Sequence, residues 1–163
     1  MANVYDPVFD DDRDAPGFAA RRARIGRQAG ARRLGASLWE LPPGQAAYPY
    51  HLHLTEEELL VILVGTPALR GADGWRRLAA GETVVFPPGV DGGHQIVNDT
   101  DAPVRFLAIS TNGEPDIVLY PDEGKVCAAD RHPDGDVHKW FWRTEDAVDY
   151  WDGIEPPSPP SSI

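Results

Sequence analysis

Residues 44–65 read GQAAYPYHLHLTEEELLVILVG, and this stretch contains the features that decide the fold. Its second half, Glu58–Val64, is rich in Leu, Ile and Val and ends at Gly65. It is therefore predicted to be a buried β-strand. Its first half contains His51 and His53, and residues two apart on a strand point to the same face. The stretch predicts two strands, the first of which directs two imidazoles into one space.

Short segments of strand-like composition continue on both sides of this stretch, separated by turn signals. The predicted strands cover residues 36–41, 48–53, 58–64, 67–70, 75–78, 83–86, 94–98 and 104–110. The turns include Pro-Pro-Gly at 42–44 and 87–89 and Gly-Ala-Asp-Gly at 71–74, which are residues that tight turns favour. Strands that follow one another this regularly, with no helical pattern between them, predict an all-β sandwich or barrel.

The chain divides into four predicted parts. These are an irregular N-terminal arm (1–33), a barrel core (34–110), a C-terminal extension (111–154) and a disordered tail (155–163). The arm has one helical tendency, over 19–27, which Gly26 and Gly30 weaken. The extension contains three of the five tryptophans, so we expect it to pack on the barrel or on a partner subunit of a homodimer. The tail is rich in Pro and Ser.

Composition excludes several classes of protein. The formal net charge of −11 argues against nucleic acid or an anionic membrane as the main partner. The longest aliphatic run, Leu59–Val64, is far shorter than the ~20 residues that span a bilayer. Cys127 is the only cysteine, so no internal disulfide can form, and we expect it to be a small core or surface residue. No signal peptide is apparent, and we expect a cytoplasmic protein.

Six arginines fall in one segment of the arm that contains no acidic residue. They are Arg21, Arg22, Arg24, Arg27, Arg32 and Arg33. We expect them to be solvated and to pair with acidic side chains elsewhere in the protein.

Three histidines and one glutamate are candidate metal ligands. A His-x-His pair alone is as consistent with an exposed pair as with a metal site. Glu58, however, shares a strand face with Leu60 and Ile62, and a carboxylate buried there needs a cation. The alternative places Glu58 in water at the mouth of the strand, as expected of Glu56 and Glu57. The last candidate, His94, begins a strand after the second Pro-Pro-Gly turn.

The two segments resemble the paired motifs of the cupin superfamily, and the chain resembles the small single-domain cupins of bacteria. The first motif is Gly44, His51, His53, Glu58 and Gly65, and the second is Gly81, Pro87, Gly89, His94 and Asn98. The sequence departs from the usual spacing of these motifs at two places. Six residues rather than five separate Gly44 from His51, and residues 90–93 replace the usual two-residue spacer before His94. Both lie in turns, where insertions are tolerated.

The resemblance implies a jelly-roll barrel that binds one divalent transition metal through His51, His53, Glu58 and His94. Such a ligand set suits Fe, Mn, Ni, Zn or Cu. The function implied is a metal-dependent enzyme, isomerase-like or dioxygenase-like, that acts on a small polar molecule, with Glu58 as the base. The alternative is a non-catalytic module that binds a small molecule or a structural metal.

The sequence predicts a mainly aliphatic lining around this metal. The residues expected there are Leu38, Leu60, Ile62, Ile96 and Phe106. We find no pair of Lys or Arg side chains that would mark a phosphate site, which weighs against an isomerase of sugar phosphates.

Overall fold

The computed structural model describes residues 2–113, 115–131 and 137–156, which form three antiparallel sheets. We number the strands in chain order. The first sheet contains, in spatial order, β1 (Asp11–Arg13), β2 (Ala20–Ala23), β3 (Gly35–Leu41), β11 (Val104–Ser110), β6 (Glu58–Val64) and β9 (Thr83–Phe86). The second contains β4 (Gln45–Ala46), β10 (Gln95–Asn98), β7 (Ala68–Gly71) and β8 (Gly74–Arg77). The third contains β14 (Val137–Arg143), β13 (Lys125–Arg131), β12 (Asp116–Tyr120) and β5 (Leu52–His53).

Helical structure is confined to single turns in the described residues. They are the α-helical turn α1 (Ile25–Gln28) and three 3-10 turns at Val90–Gly92, Pro121–Glu123 and Thr144–Asp146. The prediction of an all-β jelly-roll barrel is confirmed. No helix among the described residues has the length and apolar character needed to cross a membrane.

The side chains on the interior face of the first sheet change in size and polarity along its strands. At one level Phe106 of β11 lies between Trp39 of β3 and Ile62 of β6, and all three are buried in the main apolar core. Four residues further along β3 and β11, Gly35 and Ser110 are register partners, and Ser110 also pairs with Glu58. The same face therefore passes from large apolar residues to small and polar ones, which leaves space at one end of the barrel.

The predicted strand over 48–53 is interrupted. His51 instead makes an isolated bridge with His94, in which each backbone N–H donates to the other's carbonyl oxygen, at 3.1 and 2.9 Å. Pro49 has no N–H to offer a neighbouring strand, so continuous pairing cannot extend through it. The bridge nevertheless places two of the candidate ligands side by side.

The arm is more regular than its sequence suggests. The helical tendency predicted over 19–27 is wrong for Ala20–Ala23, which form β2, and is met only by the single helical turn α1. β2 pairs with β3, as in the partners Arg22 and Trp39, and buries Ala20 and Ala23. Tertiary pairing thus outweighs a weak local helical propensity.

The C-terminal extension supplies most of the third sheet. Its strand β12 pairs with β5, so that Val118 is the register partner of His53. At the other edge, every residue of β14 is exposed, including His138. His132 and residues 157–163 of the predicted tail lie outside the described residues.

Candidate metal centre

The four predicted ligands come together at the small, polar end of the barrel. Oε2 of Glu58 lies 3.5 Å from Nε2 of His53 and 3.3 Å from Nε2 of His94. The ligand atoms of His51, His53 and Glu58 lie within 4.8 Å of one another. The rings of His51 and His94 are 4.6 Å apart between centroids.

Backbone carbonyl groups orient two of the imidazoles. Nδ1 of His51 lies 2.9 Å from the carbonyl oxygen of Pro49, and Nδ1 of His94 lies 2.9 Å from that of Gly92. Because a carbonyl oxygen only accepts hydrogen bonds, Nδ1 carries the proton in both residues. Their Nε2 atoms are left as lone-pair donors, which is the tautomer that metal ligation requires.

A carboxylate orients the third imidazole. Nδ1 of His53 lies 2.5 Å from Oδ2 of Asp116, which is only 1% exposed. The hydroxyl and the backbone N–H of Thr55 donate to Oδ1 of the same carboxylate, at 2.8 and 3.3 Å. A carboxylate on the remote nitrogen fixes the ring of a ligand histidine and makes it a stronger donor.

Protonation states follow from burial and from these partners. Burial lowers the pKa of His51 to about 3 and that of His94 to about 4, so both are neutral at neutral pH. Burial is the largest single influence on His53 and opposes its charge, but the hydrogen bond to Asp116 and the nearby carboxylates together outweigh burial, and the pKa of His53 is raised. For Asp116, burial is likewise outweighed by the hydrogen bond and charge of His53 together with the hydrogen bonds from Thr55, and the pKa of Asp116 is lowered.

This donor set fits a divalent transition metal. Nε2 of His53 and Nε2 of His94 both lie 3.3–3.5 Å from Oε2 of Glu58. A cation placed among these three atoms would be attracted to the carboxylate and to the lone pairs of the neutral imidazoles. Three neutral imidazoles and one carboxylate are ligands that such a cation accepts.

Comparison with known proteins agrees with this geometry. A family model described as the cupin domain matches residues 37–110. The chain carries a cupin domain. A comparison with curated proteins found no match.

Solved structures resemble this chain over much of its length. A sugar phosphate isomerase of the cupin superfamily from Silicibacter pomeroyi is 25% identical, with a TM-score of 0.76 over 95% of this chain and 99% of that one. A candidate sugar phosphate isomerase from Acidithiobacillus ferrooxidans is 28% identical, with a TM-score of 0.71 over 82% of this chain and 81% of that one. The polyketide cyclase RemF from Streptomyces resistomycificus, 22% identical with a TM-score of 0.55 over 68% of this chain and 77% of that one, shares the fold alone.

The ligands of the cupin domain open into a cavity of about 1200 Å³. Leu60, Ile96 and Phe106 line it as expected. The prediction of an aliphatic lining is otherwise wrong. Leu38 faces away because it alternates with Ser37 along β3, and Ile62 is in the packed core. Polar side chains also line the cavity, namely Ser37, Ser110, Asn112, Tyr120 and Glu56.

The two acidic residues before Glu58 were both expected to lie in water. Glu57 is exposed as expected, whereas Glu56 is 2% exposed and lines the cavity. Cys127 is confirmed as a core residue, and burial raises the pKa of its thiol. It therefore stays protonated at neutral pH.

Asp116 is the site residue that the sequence analysis missed. It begins an apolar strand, DIVLY, in the same way that Glu58 begins ELLVILV. An acidic residue at the start of an apolar strand singled out Glu58, and the same signal could have singled out Asp116.

The expectation for the arginines of the arm is met in part. The expected pairing with acidic residues is present for three of them, Arg21, Arg22 and Arg24. However, four of the six extend along the cavity wall rather than into solvent alone, and Lys139 of β14 joins them. The cationic lining residues are Arg22, Arg24, Arg27, Arg32 and Lys139. The absence of basic residues, which weighed against a sugar-phosphate substrate, does not hold in the folded chain.

Proposed function

We propose that this cupin is a metal-dependent enzyme that isomerises a small polar molecule. The observation that carries the proposal is the opening of the ligand cluster into the 1200 Å³ cavity. A structural metal is usually enclosed by its ligands, whereas a catalytic one keeps a position open for substrate. The names of the two relatives at 25% and 28% identity favour isomerase chemistry.

His51, His53, His94 and Glu58 would hold the metal. Bound there, a divalent metal supplies a Lewis acid that polarises an oxygen of the substrate. Glu58 is the proposed base when its carboxylate leaves the metal, because that carboxylate lies on the cavity wall beside the imidazoles. It would take a proton from the carbon next to the substrate carbonyl and return it to the carbonyl carbon, while a hydroxyl proton moves to the former carbonyl oxygen.

Tyr120 would help to position the substrate. It lines the cavity and stacks on His51, with 6.0 Å between ring centroids. Burial raises the pKa of Tyr120 to about 12, so its hydroxyl keeps its proton at neutral pH. It can then donate a hydrogen bond to a substrate oxygen.

Exchange of substrate hydrogen with solvent tests the proposal. Protein with the metal it carries when purified should interconvert a small ketose and its aldose in D₂O, with deuterium appearing at the carbon next to the carbonyl. Chelation should stop the exchange. Glu58→Gln should slow it at least ~100-fold, since general base catalysis contributes about that much. Glu57→Gln, which changes an exposed neighbour, should leave the rate unchanged.

The other reaction classes predict different outcomes of the same assay. Metal-dependent oxygen consumption without isomerisation would identify a dioxygenase and contradict the proposal. A full equivalent of metal with neither reaction would favour a non-catalytic module. The identity of the metal among Fe, Mn, Ni, Zn and Cu stays a prediction that elemental analysis decides, and the cytoplasmic location stays a prediction of the sequence.

We also propose that the protein is a homodimer. β14 is an edge strand of the third sheet, and its Trp140 and Phe141 are 54% and 57% exposed. Aromatic side chains on an unpaired edge favour association with another chain. Sedimentation at micromolar concentration should give twice the 17.9 kDa mass of one chain. A single species at the mass of one chain would contradict the dimer.

A further inference from the structure

We infer that the cavity takes an anionic substrate, and that Arg27 and Arg32 hold its phosphate or carboxylate group at the cavity wall. The inference rests on the proposed function, because it assigns the class of substrate for the same cavity. The proposed anion site can be tested separately from the proposed reaction, because its two arginines belong to the arm and are not metal ligands.

The charge of the cavity wall differs from that of the whole molecule. The chain has a formal net charge of −11, yet five cationic and three acidic side chains line the cavity. Two of the three acids are engaged with the ligand cluster, since Asp116 bonds to His53 and Glu58 faces the imidazoles. A bound divalent cation would add further positive charge. Cationic side chains that line a cleft of a low-dielectric protein concentrate anionic ligands there.

Internal ion pairs separate the arm arginines into two groups. Asp11 accepts from Arg22 at 2.5 Å and from Arg24 at 2.9 Å, and Asp10 lies 3.1 Å from Arg24. Within the part of the chain that the structure describes, Arg27 and Arg32 form no ion pair. Both are exposed and line the cavity. Their guanidinium groups are thus available to an anion, which they can bind through paired N–H donors.

Arg27 projects from a turn that is fixed in place. A Cβ atom at Gly26 would lie 3.0 Å from the backbone nitrogen of Ala36, so α1 packs directly on the start of β3. The side chain of Gln28 donates to the carbonyl oxygen of Val8 at 2.8 Å and to Asp10 at 3.0 Å. Such anchoring reduces the ordering cost of binding a ligand at Arg27.

The register of the first sheet relates this turn to the ligand cluster. Gly35, at the start of β3, pairs with Ser110, and Ser110 pairs with Glu58. Since neighbouring strands lie about 4.8 Å apart, about 10 Å separates the backbones of Gly35 and Glu58. The residue between them on β11 is Ser110, so this level of the sheet bears only small or polar side chains. A small molecule could therefore keep an anionic group near the arm while its hydroxyl and carbonyl groups reach the histidines.

Calorimetric titration with inorganic phosphate and with acetate tests the inference at low ionic strength. Protein with the metal it carries when purified should bind at least one of these anions in the millimolar range or tighter, and the stronger of the two indicates whether the substrate is a phosphate ester or a carboxylic acid. The double variant R27Q/R32Q should weaken that binding at least about tenfold, since it removes two charge-assisted contacts. Its metal content and melting temperature should equal those of the wild type.

Arg33→Gln is the matched control, because Arg33 is an exposed arginine of the same segment that does not line the cavity. It should bind the anion as the wild type does. Equal binding by R27Q/R32Q and the wild type would overturn the inference, because the anion would then be held by the metal or by other cationic side chains. So would failure of the wild type to bind either anion. If binding depends on Arg27 and Arg32 but no isomerisation is found, the anion site stands and only the proposed reaction fails.

Discussion

The variant His51→Ala is expected to lose the metal, retaining less than about a tenth of the equivalent bound by the wild type. Losing only the hydrogen-bond partner of a ligand histidine typically costs about 10–100-fold in metal affinity, so losing the ligand itself should cost more than about 100-fold. The neighbouring residues offer no substitute donor, because Pro49 and Leu52 carry no metal-binding group and the ring of Tyr50 packs on the guanidinium of Arg70 instead of lining the cavity. Elemental analysis after dialysis and a competitive metal titration would measure the loss.

The control for this variant is His138→Ala. His138 lies on β14, where it is exposed and distant in the fold from the ligand cluster. Removing it should leave metal content and affinity unchanged. Circular dichroism would check that both variants keep the wild-type sheet content. Unchanged metal content in His51→Ala would contradict the proposed ligand set.

The parts of the fold that depend on local pattern were predicted closely. The strands over 58–64, 83–86 and 104–110 have the bounds that their sequences indicate. Each is a run of strongly β-forming residues with a turn signal at one end or both, so local preference and tertiary structure agree. Glu58 could be predicted for the same reason, since it begins such a strand, whereas His51, His53 and His94 were predicted from their resemblance to the cupin motifs.

The residues that were missed act through contacts between distant parts of the chain. Asp116 is 63 positions from His53, and only the pairing of β12 with β5 brings them together. Arg27 reaches the cavity because β2 pairs with β3 and because Gly26 packs on Ala36. A sequence pattern of period two says which residues share a face, but not which other segment that face meets.

The wrong expectation for the cavity lining has a related cause. Alternation along β3 correctly places Ser37 and Trp39 on one face, but it does not say where the packed core stops. Trp39 and its partner Phe106 pack in the core and also line the cavity, whereas Ile62, the partner of Phe106 on β6, packs in the core alone. The change from core to cavity depends on side-chain volume summed over several strands. That sum is a property of the folded barrel rather than of any one segment.

The second large effect is expected from Asp116→Asn. The substitution keeps the shape of the side chain and an acceptor oxygen for the N–H of His53, but it removes the negative charge that makes this imidazole a stronger donor. We expect metal affinity to fall about 10–100-fold, as it does when such partners are lost elsewhere. Saturating metal should restore full occupancy, because the four ligands remain in place. Competition with a chelator of known affinity would measure the change.

Asp122→Asn provides the comparison for Asp116→Asn. Asp122 also carries a carboxylate with a lowered pKa, owing to its hydrogen bond with Arg70, but it is exposed and lies outside the cavity. Its replacement should not alter metal affinity. If Asp116→Asn bound the metal within about twofold of the wild type, the carboxylate would serve only to join β12 to the segment of Thr55. The variant would then lose stability without losing metal affinity. A loss of affinity that leaves the melting temperature of the metal-free protein unchanged would instead show that Asp116 acts through His53, since a destabilised fold would itself lower the apparent metal affinity by mass action.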